Sequence, residues 1–333
     1  MTAAQAGPRA IARTPDALDA LARGATVVPL PLAVFEVAGP GAFACLQGLV
    51  TCDLRAPADG VLSYGALLTP KGMITCDYWV LRLAESRFVL LAPPHGHAAS
   101  LELFRARLPP RLAKVTDRTA EWATRALLGA GTGEALAAAG APLPAGARGV
   151  EPRDGLLVAS TAGWRGDAPP MVALVVGPAA EVEALDARLV AGGATAGAPD
   201  DLDALRVRRG WPALGAEIDE RTLVQEVRYD EIGAVAYDKG CFIGQETVAR
   251  LHFRGHTNRR MVALAWPGAP VAPGSAVRRD DKDVGSVRTQ LALGERTEAL
   301  ALVRREVPEG EAVLLEDGRT AVLRPLPAAA GEG

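Results

Sequence analysis

The sequence has few cysteines and no close pair of them. Its 333 residues include four, Cys45, Cys52, Cys76 and Cys241, and no CxxC motif. Sparse, unpaired thiols are typical of a reducing compartment and argue against a disulfide-rich secreted domain. No run of about eighteen apolar residues occurs, and the N-terminal segment lacks the apolar core of a secretory signal. We therefore expect a cytoplasmic protein without a membrane span.

A surplus of positive charge is also missing. The formal net charge is −3, from 36 Lys and Arg against 39 Asp and Glu. Proteins that wrap a duplex neutralise phosphates with an excess of basic residues, so direct nucleic-acid binding is not expected. Neither a GxSxG elbow nor a Walker A motif occurs, so no motif predicts a serine hydrolase or a P-loop nucleotide site.

A short apolar run, a Gly or Pro turn and an Ala- and Leu-rich segment recur together along the chain. Each such stretch predicts strand, turn and helix, and they begin at Ala33, Phe88, Arg125 and Val172. Between the first two lie three strand-like runs, joined by turns at 69–72 and 84–87. Short meanders mixed with strand–helix units favour an α+β fold of two related split-βαβ, ferredoxin-like subdomains.

The character of the sequence changes after about residue 257. Short strand candidates alternate with turns, and RDDKD (279–283) and EDGR (316–319) are typical of hairpin loops. No helix-length periodic run remains. We therefore predict an α/β region over residues 1–256 and a small all-β barrel or sandwich over 257–328.

The stretch YDKGCFIGQETVAR (237–250) carries the most distinctive chemistry. A helix is predicted to begin near Gly244, which places Cys241 at or just before its N-terminus. The helix dipole and the neighbouring Lys239 and Arg250 favour the thiolate, which is the nucleophilic and metal-binding form. The alternative is a small buried cysteine in a tight turn, since free cysteine is among the most buried residue types.

Two other patterns are weaker. GAGTG (129–133) lacks the third glycine of a dinucleotide fingerprint, because Glu134 stands there, and a tight turn explains it better. The histidines form H-x-H at 95–97 and a four-residue spacing at 252–256, without a HExxH glutamate. No metal site is predicted.

Four motifs together give a resemblance to a known family. The most specific of them, KGCFIGQETVARLHFRG (239–255), resembles the signature of the YgfZ family, folate-binding proteins related to the glycine-cleavage T-protein. It is the fourth motif along the chain. The first, second and third motifs match the family in order and spacing: FACLQGLVTCDL (43–54), LLTPKGMITCDYWVLR (67–82) and RGWPALGAEIDERTLVQE (209–226). The resemblance implies two interleaved α/β subdomains around a central cavity, followed by a C-terminal β-barrel.

The same resemblance implies a function. The expected protein is a folate-binding accessory factor for the assembly or repair of iron–sulfur enzymes, including tRNA-modifying ones. It would bind tetrahydrofolate or a derivative and meet iron–sulfur enzymes or cluster-assembly proteins. Cys241 would be the reactive residue, with Lys239 beside it. The alternative is a folate-dependent aminomethyl or one-carbon transferase.

Residues carry over unevenly from the family. Glu226 matches the glutamate that meets the pterin ring in the T-protein relatives. Where those relatives have two aspartates, this chain has Cys76 and Asp77, so one acid is missing, which disfavours aminomethyl transfer. Charge alone suggests arginine partners for the glutamate tail of folate. The expected folate contacts are Glu226, Asp77, Gln245, Glu246, Arg209, Arg250 and Arg254.

Overall fold

The computed structural model of the chain describes residues 7–55, 59–164 and 169–327. The α-helices within these ranges are Pro15–Arg23 (α1), Ala42–Gln47 (α2), His97–Arg107 (α3), Thr132–Ala138 (α4), Ala179–Ala191 (α5), Pro199–Arg209 (α6) and Gln245–Arg254 (α7). None of these helices has the length and apolar composition needed to cross a bilayer.

The strands of the described residues form three sheets. In chain order they are Ala10–Ala12 (β1), Thr26–Leu30 (β2), Ala33–Ala38 (β3), Val61–Leu68 (β4), Ile74–Ala84 (β5), Arg87–Ala92 (β6), Lys114–Asp117 (β7), Trp122–Leu128 (β8), Val150–Arg153 (β9), Leu156–Ser160 (β10), Ala173–Pro178 (β11), Thr195–Ala196 (β12), Arg259–Pro267 (β13), Ala276–Arg279 (β14), Lys282–Leu293 (β15), Arg296–Arg304 (β16), Ala312–Leu315 (β17) and Thr320–Arg324 (β18).

The first sheet has the order β4-β5-β6-β3-β7 and is antiparallel throughout. Strands β3 to β6 are largely buried, and Phe35 and Tyr78 from the sheet pack with Phe104 of α3 in its core. The predicted turn between β4 and β5 is confirmed, because the Gly72 amide donates to the Thr69 carbonyl over 2.9 Å.

The second sheet repeats the plan of the first. The order β8, α4, β9, β10, β11, α5, β12 mirrors β3, α2, β4, β5, β6, α3, β7, which confirms the four predicted strand–turn–helix units. Its strand order is β12-β2-β8-β11-β10-β9. The chain therefore visits the second sheet through β2 before it builds the first sheet, and the two subdomains are interleaved.

The C-terminal strands close into a six-stranded antiparallel barrel. β15 pairs with β14 and β16, and the ring is completed through β17, β18 and β13. Both predicted hairpin loops are present: Asp280, Asp281 and Gly318 take the positive φ angles that such tight turns need. The N-terminal β1 adds to β15 in parallel, outside the ring. The chain thus has the predicted α+β fold followed by a β-barrel.

The glycine-rich segment 129–133 has a packing role. Gly129 has φ +87°, and a side chain there would collide with the carbonyls of Leu21 and Gly24 at the end of α1. The glycine lets the β8–α4 turn approach α1 closely. The tight-turn interpretation of this segment is therefore the correct one.

Candidate functional site

Cys241 lies on an exposed loop just before α7, whose first residue is Gln245. Gly244 caps the helix with φ +82°, and a side chain at this position would come within 2.5 Å of the Thr69 carbonyl oxygen. The β4–β5 turn therefore packs directly on the helix start, and only glycine fits between them. The predicted start of the helix is confirmed, and of the two alternatives for Cys241 the structure shows the exposed one.

Lys239 points inward, away from solvent. Its Nζ donates to the carbonyls of Val50 and Cys52, the latter over 2.9 Å, and lies 5.3 Å from the centroid of the Phe242 ring. Burial lowers the pKa of Lys239 to about 8, against the raising effect of Cys52 and the nearby Asp53. The ammonium thus fastens the Cys241 loop to the first motif.

A second set of hydrogen bonds holds the same loop. The Gln47 side-chain amide donates to Asp53 Oδ1 over 2.8 Å and to the Lys239 carbonyl over 3.4 Å. Arg55 pairs with Asp53 at 3.0 Å and donates to the Asp238 carbonyl over 2.9 Å. Because Gln47 and Asp53 belong to the first motif and Arg55 directly follows it, that motif and the fourth form one unit.

The second and third motifs complete the assembly. Met73, after the β4–β5 turn, bridges to Leu223 in the third motif. Gln225 donates to the Val248 carbonyl in α7 over 2.9 Å. All four motifs that carry the family resemblance therefore meet around the Cys241 loop.

A cavity of about 620 Å³ opens beside this loop. Its lining includes Cys52, Asp53, Trp164, Tyr237 and Asp238. Burial is the main cause that raises the pKa of the Cys52 thiol to about 11, so this cysteine stays protonated near neutral pH. Tyr237 and Asp238 directly precede Lys239 in the chain, so the cavity borders the segment that carries Cys241.

Asp77 is buried and has one oxygen without a partner. Oδ2 accepts hydrogen bonds from the hydroxyls of Tyr64 at 2.6 Å and Tyr229 at 3.2 Å, whereas Oδ1 has no hydrogen-bond partner among the described residues. Burial raises the pKa of Asp77, although both tyrosine hydrogen bonds act in the opposite direction. Such a carboxyl group is poised to exchange a proton or to bind a polar ligand.

A cluster of aromatic rings lies between Asp77 and the cavity. Trp79 and Trp211 stack with centroids 5.4 Å apart and planes 7° apart, and Tyr64 packs on both. Trp164, which lines the cavity, packs on Trp79 at 5.4 Å. This cluster was not identified from the sequence. The chain has only five tryptophans and four tyrosines, and their scarcity is the signal that could have singled them out.

Glu226 already has a strong partner. Arg259 donates to both of its carboxylate oxygens at 3.0 Å, and the Leu223 amide donates to Oε2 at 3.1 Å. Arg259 is thus paired within the chain. In this structure Glu226 holds Arg259 and closes the turn before it.

The other expected folate contacts are spread over the surface. Glu246, Arg250 and Arg254 are exposed on α7, Gln245 is half-buried at its start, and Arg209 is exposed at the end of α6. None of these five is among the described residues that line the 620 Å³ cavity. In the part of the chain that the structure describes, no group of three or more His, Cys, Asp or Glu side chains is arranged to hold a metal ion.

The sequence is similar to a known protein family and to several of its members. The family model of the GCVT N-terminal domain matches residues 30–143. The tRNA-modifying protein YgfZ of Edwardsiella ictaluri is 30% identical over 69% of this chain and 67% of its own length, and that of Colwellia psychrerythraea is 25% identical over 84% and 82%. The match to the Cronobacter sakazakii protein of the same name, 31% identical, spans 30% of that protein's length.

The fold has a close counterpart among solved structures. The crystal structure of the glycine cleavage system aminomethyltransferase T from Bartonella henselae superposes with a TM-score of 0.80 at 22% identity. The superposition covers 94% of this chain and 88% of that one, so the α+β layers and the barrel are shared. Together with the sequence relatives, the convergence of the four motifs shows that this chain is a member of the YgfZ family.

Proposed function

We propose that this chain is a folate-binding accessory protein that supports the assembly or repair of iron–sulfur enzymes, tRNA-modifying enzymes among them, through Cys241. The observation that carries the proposal is the exposed thiol on the loop before α7, which the first motif holds in place, while the second and third motifs contact the helix that follows. The relatives are named tRNA-modifying protein YgfZ, which supports tRNA-modifying enzymes as a class of dependent enzyme. The four free thiols support a reducing cytoplasm as its location.

The residues present fit a folate. The cavity volume of about 620 Å³ lies within the range of small-molecule sites, roughly 300–1,000 Å³. Trp164 lines the cavity at 6% exposure, and the Arg148 guanidinium lies 5.5 Å from the centroid of its ring, suited to a carboxylate of the glutamate tail. Asp77 does not line the cavity; its unpartnered Oδ1 lies behind Trp164 and Trp79, and we propose that it reaches a pterin N–H group when these rings move aside on binding. Bound tetrahydrofolate would supply a nitrogen pair that carries one-carbon units.

Cys241→Ser tests the role of the thiol. In cells that lack the wild-type gene, we expect this variant to leave the dependent iron–sulfur enzymes inactive, because a hydroxyl is not ionised near neutral pH and is a poor metal ligand. Cys45→Ser, at a half-buried cysteine, is the matched control and should retain activity. Full activity of Cys241→Ser would remove the thiol from the mechanism.

Calorimetry with tetrahydrofolate tests the ligand separately. Cys241→Ser should bind with wild-type affinity, whereas Asp77→Asn should bind at least about tenfold more weakly, the loss of about one charge-assisted hydrogen bond. Circular dichroism would show that both variants are folded. Equal affinity of Asp77→Asn and wild type would contradict the assignment of Asp77.

The second candidate is a folate-dependent aminomethyl or one-carbon transferase. It is favoured by the T-protein fold and by the buried acid at Asp77. Against it, Cys76 stands beside Asp77 where a second acid is expected, and burial raises the pKa of that thiol to about 12. Turnover of an aminomethyl donor with tetrahydrofolate by the purified protein would favour the transferase; folate binding without turnover favours the accessory role.

A further inference from the structure

The outward face of α7 presents one large apolar side chain between two arginines. Glu246, Arg250, Phe253 and Arg254 follow the i, i+4, i+7, i+8 spacing that places side chains on one helix face, and all four are exposed. Phe253 is 67% exposed, against 47% for Val190, the next large apolar side chain in the described residues. An aromatic ring held in water at this level is typical of a binding surface rather than of a packed helix.

The ring of Phe253 is held in place rather than free. It packs edge-on against His252 with centroids 4.7 Å apart, and His252 stacks on Tyr237 at 3.8 Å with planes 17° apart. Tyr237 in turn is fixed because its hydroxyl donates to Asp230. A side chain ordered in advance loses little conformational freedom when it binds, so Phe253 is a suitable anchor.

The arginines beside the anchor are unpaired. Arg250 and Arg254 form no ion pair with any described residue, and neither does Arg305. Arg305 lines a groove of about 560 Å³ beside α7 together with Leu251 and His256; the groove also contains Asp230 and Glu231, and Glu231 is paired with Arg228. Guanidinium groups without partners are the strongest protein ligands for carboxylates. The face thus combines an apolar anchor with positive charge.

We propose that this face of α7 docks an acidic segment of a partner protein, with Phe253 in an apolar pocket of the partner and Arg250 and Arg254 paired with its carboxylates. The inference rests on the proposed function, because Cys241 lies in the loop before the N-terminal end of α7, a helix of 10 residues that spans about 15 Å. A partner seated on this face holds its own reacting group near the thiol. Aromatic and arginine side chains dominate the energetics of such contacts.

The occupant is a protein rather than RNA. Three unpaired arginines are few for a polyanion, which is bound by many phosphate contacts. Glu246 lies on the same face and Asp238 lies beside Cys241, both exposed, which confines the positive charge of this face to the C-terminal half of α7. The whole chain carries a net charge of −3. A small face of this kind fits a weak, transient contact.

Two variants test the face in cells that lack the wild-type gene: Phe253→Ser, and Arg250→Glu with Arg254→Glu. We expect each to lower the activity of the dependent iron–sulfur enzymes at least about tenfold, or about 1.4 kcal/mol of lost association free energy. Val190→Ser, and Arg105→Glu with Arg107→Glu on α3, are matched exposed controls and should leave activity unchanged. Full activity of both α7 variants would overturn the docking inference and leave the role of Cys241 intact.

Measurements on the purified variants distinguish a loss of docking from damage to the Cys241 and folate sites. The alkylation rate of Cys241 and the affinity for tetrahydrofolate should equal those of the wild type. A loss of folate affinity in the double arginine variant would assign these arginines to the glutamate tail and overturn the docking inference. If Cys241→Ser is fully active in the same cells, the proposed function fails instead.

A photo-crosslinker identifies the occupant directly. The full chain with benzoylphenylalanine at position 253 should crosslink, in cells, to a peptide rich in Asp and Glu from an iron–sulfur or cluster-assembly protein. The crosslink should disappear when Arg250 and Arg254 are replaced by Glu. Crosslinks to RNA, or the same peptides captured from a benzoylphenylalanine at position 190, would overturn the inference.

Discussion

The titration of Lys239 reports on the Cys241 loop. Burial lowers its pKa from 10.5 to about 8. Below about pH 8 the amine is charged in the folded and the unfolded chain, so folding carries the full desolvation cost. Between that pH and the unfolded value of 10.5, the folded chain has lost a proton that the unfolded chain still holds, and stability rises with pH.

Lys239→Met removes this effect. We predict that the free energy of unfolding of the wild type, relative to this variant, rises by up to about 3 kcal/mol between about pH 7 and pH 10.5. Urea denaturation of both proteins across that range measures it, and the difference cancels every other titrating group. A difference that stays constant with pH would show that Lys239 is not desolvated.

Residue-level reasoning succeeded where the signal was local. The cysteine before a helix start was visible in the sequence, and so was the glycine that caps the helix. The direction of the Lys239 side chain was not visible, because its acceptors Val50 and Cys52 lie 189 and 187 residues away. A hydrogen-bond acceptor so far away in the sequence does not affect the local composition around Lys239.

At the scale of elements, the contact between α7 and the β4–β5 turn depends on Gly244. Gly244→Ala introduces a side chain at φ +82° and against the Thr69 carbonyl, whereas Gly240→Ala introduces one at φ +94° into open space. We predict that Gly240→Ala costs about 1 kcal/mol for the backbone conformation alone, and that Gly244→Ala costs about 1–3 kcal/mol more for the added collision.

Thermal or chemical unfolding of the two variants measures this difference. Because both substitutions add the same methyl group at a positive φ, the subtraction isolates the packing of the turn on the helix. Equal losses would mean that the turn moves aside without cost. Gly244→Ala should also change the alkylation rate of Cys241, three residues away.

The elements that sequence reasoning found were those with a local pattern. The four strand–turn–helix units and both barrel hairpins carry periodicity and turn residues within about twenty residues. The strands β1 and β12 have three and two residues, too few for any period to be read. The stack of Tyr237 on His252 joins a loop to a helix, and no spacing rule predicts it.

On the scale of the whole molecule, a buried ion pair joins the α/β layers to the barrel. Arg206 in α6 donates to Glu217 and, over 2.7 Å, to Thr289 in β15, and Thr289 donates to Glu217 over 2.6 Å. Arg206 and Glu217 are almost fully buried. Removal of one charge leaves the other buried and unpaired, which costs about 3–5 kcal/mol.

Glu217→Gln should therefore lower the free energy of unfolding by about 3 kcal/mol or more. Arg208→Ala is the control, because Arg208 pairs with Glu298 at 3.0 Å on the surface, and we expect a loss of about 1 kcal/mol or less. Urea denaturation compares the two. Similar losses would mean that water reaches the buried pair.

The global arrangement was predictable mainly through the order of the four motifs. Composition and periodicity gave the α+β class and the late β-rich region, but not the interleaving, in which β2 joins a sheet whose other strands begin at Trp122. The division into regions at residues 256 and 257 stays a prediction; it falls between α7 and β13.

The parallel pairing of β1 with β15 has a consequence for synthesis. Ala10–Ala12 leave the ribosome first, but their partners Gln290–Ala292 emerge about 280 residues later. At roughly 5–20 residues per second, the first strand waits at least about fourteen seconds with an open edge. A chain that lacks β15 leaves β1 without its partner strand, so we expect Ala10–Ala12 to be open to proteases until the barrel is made.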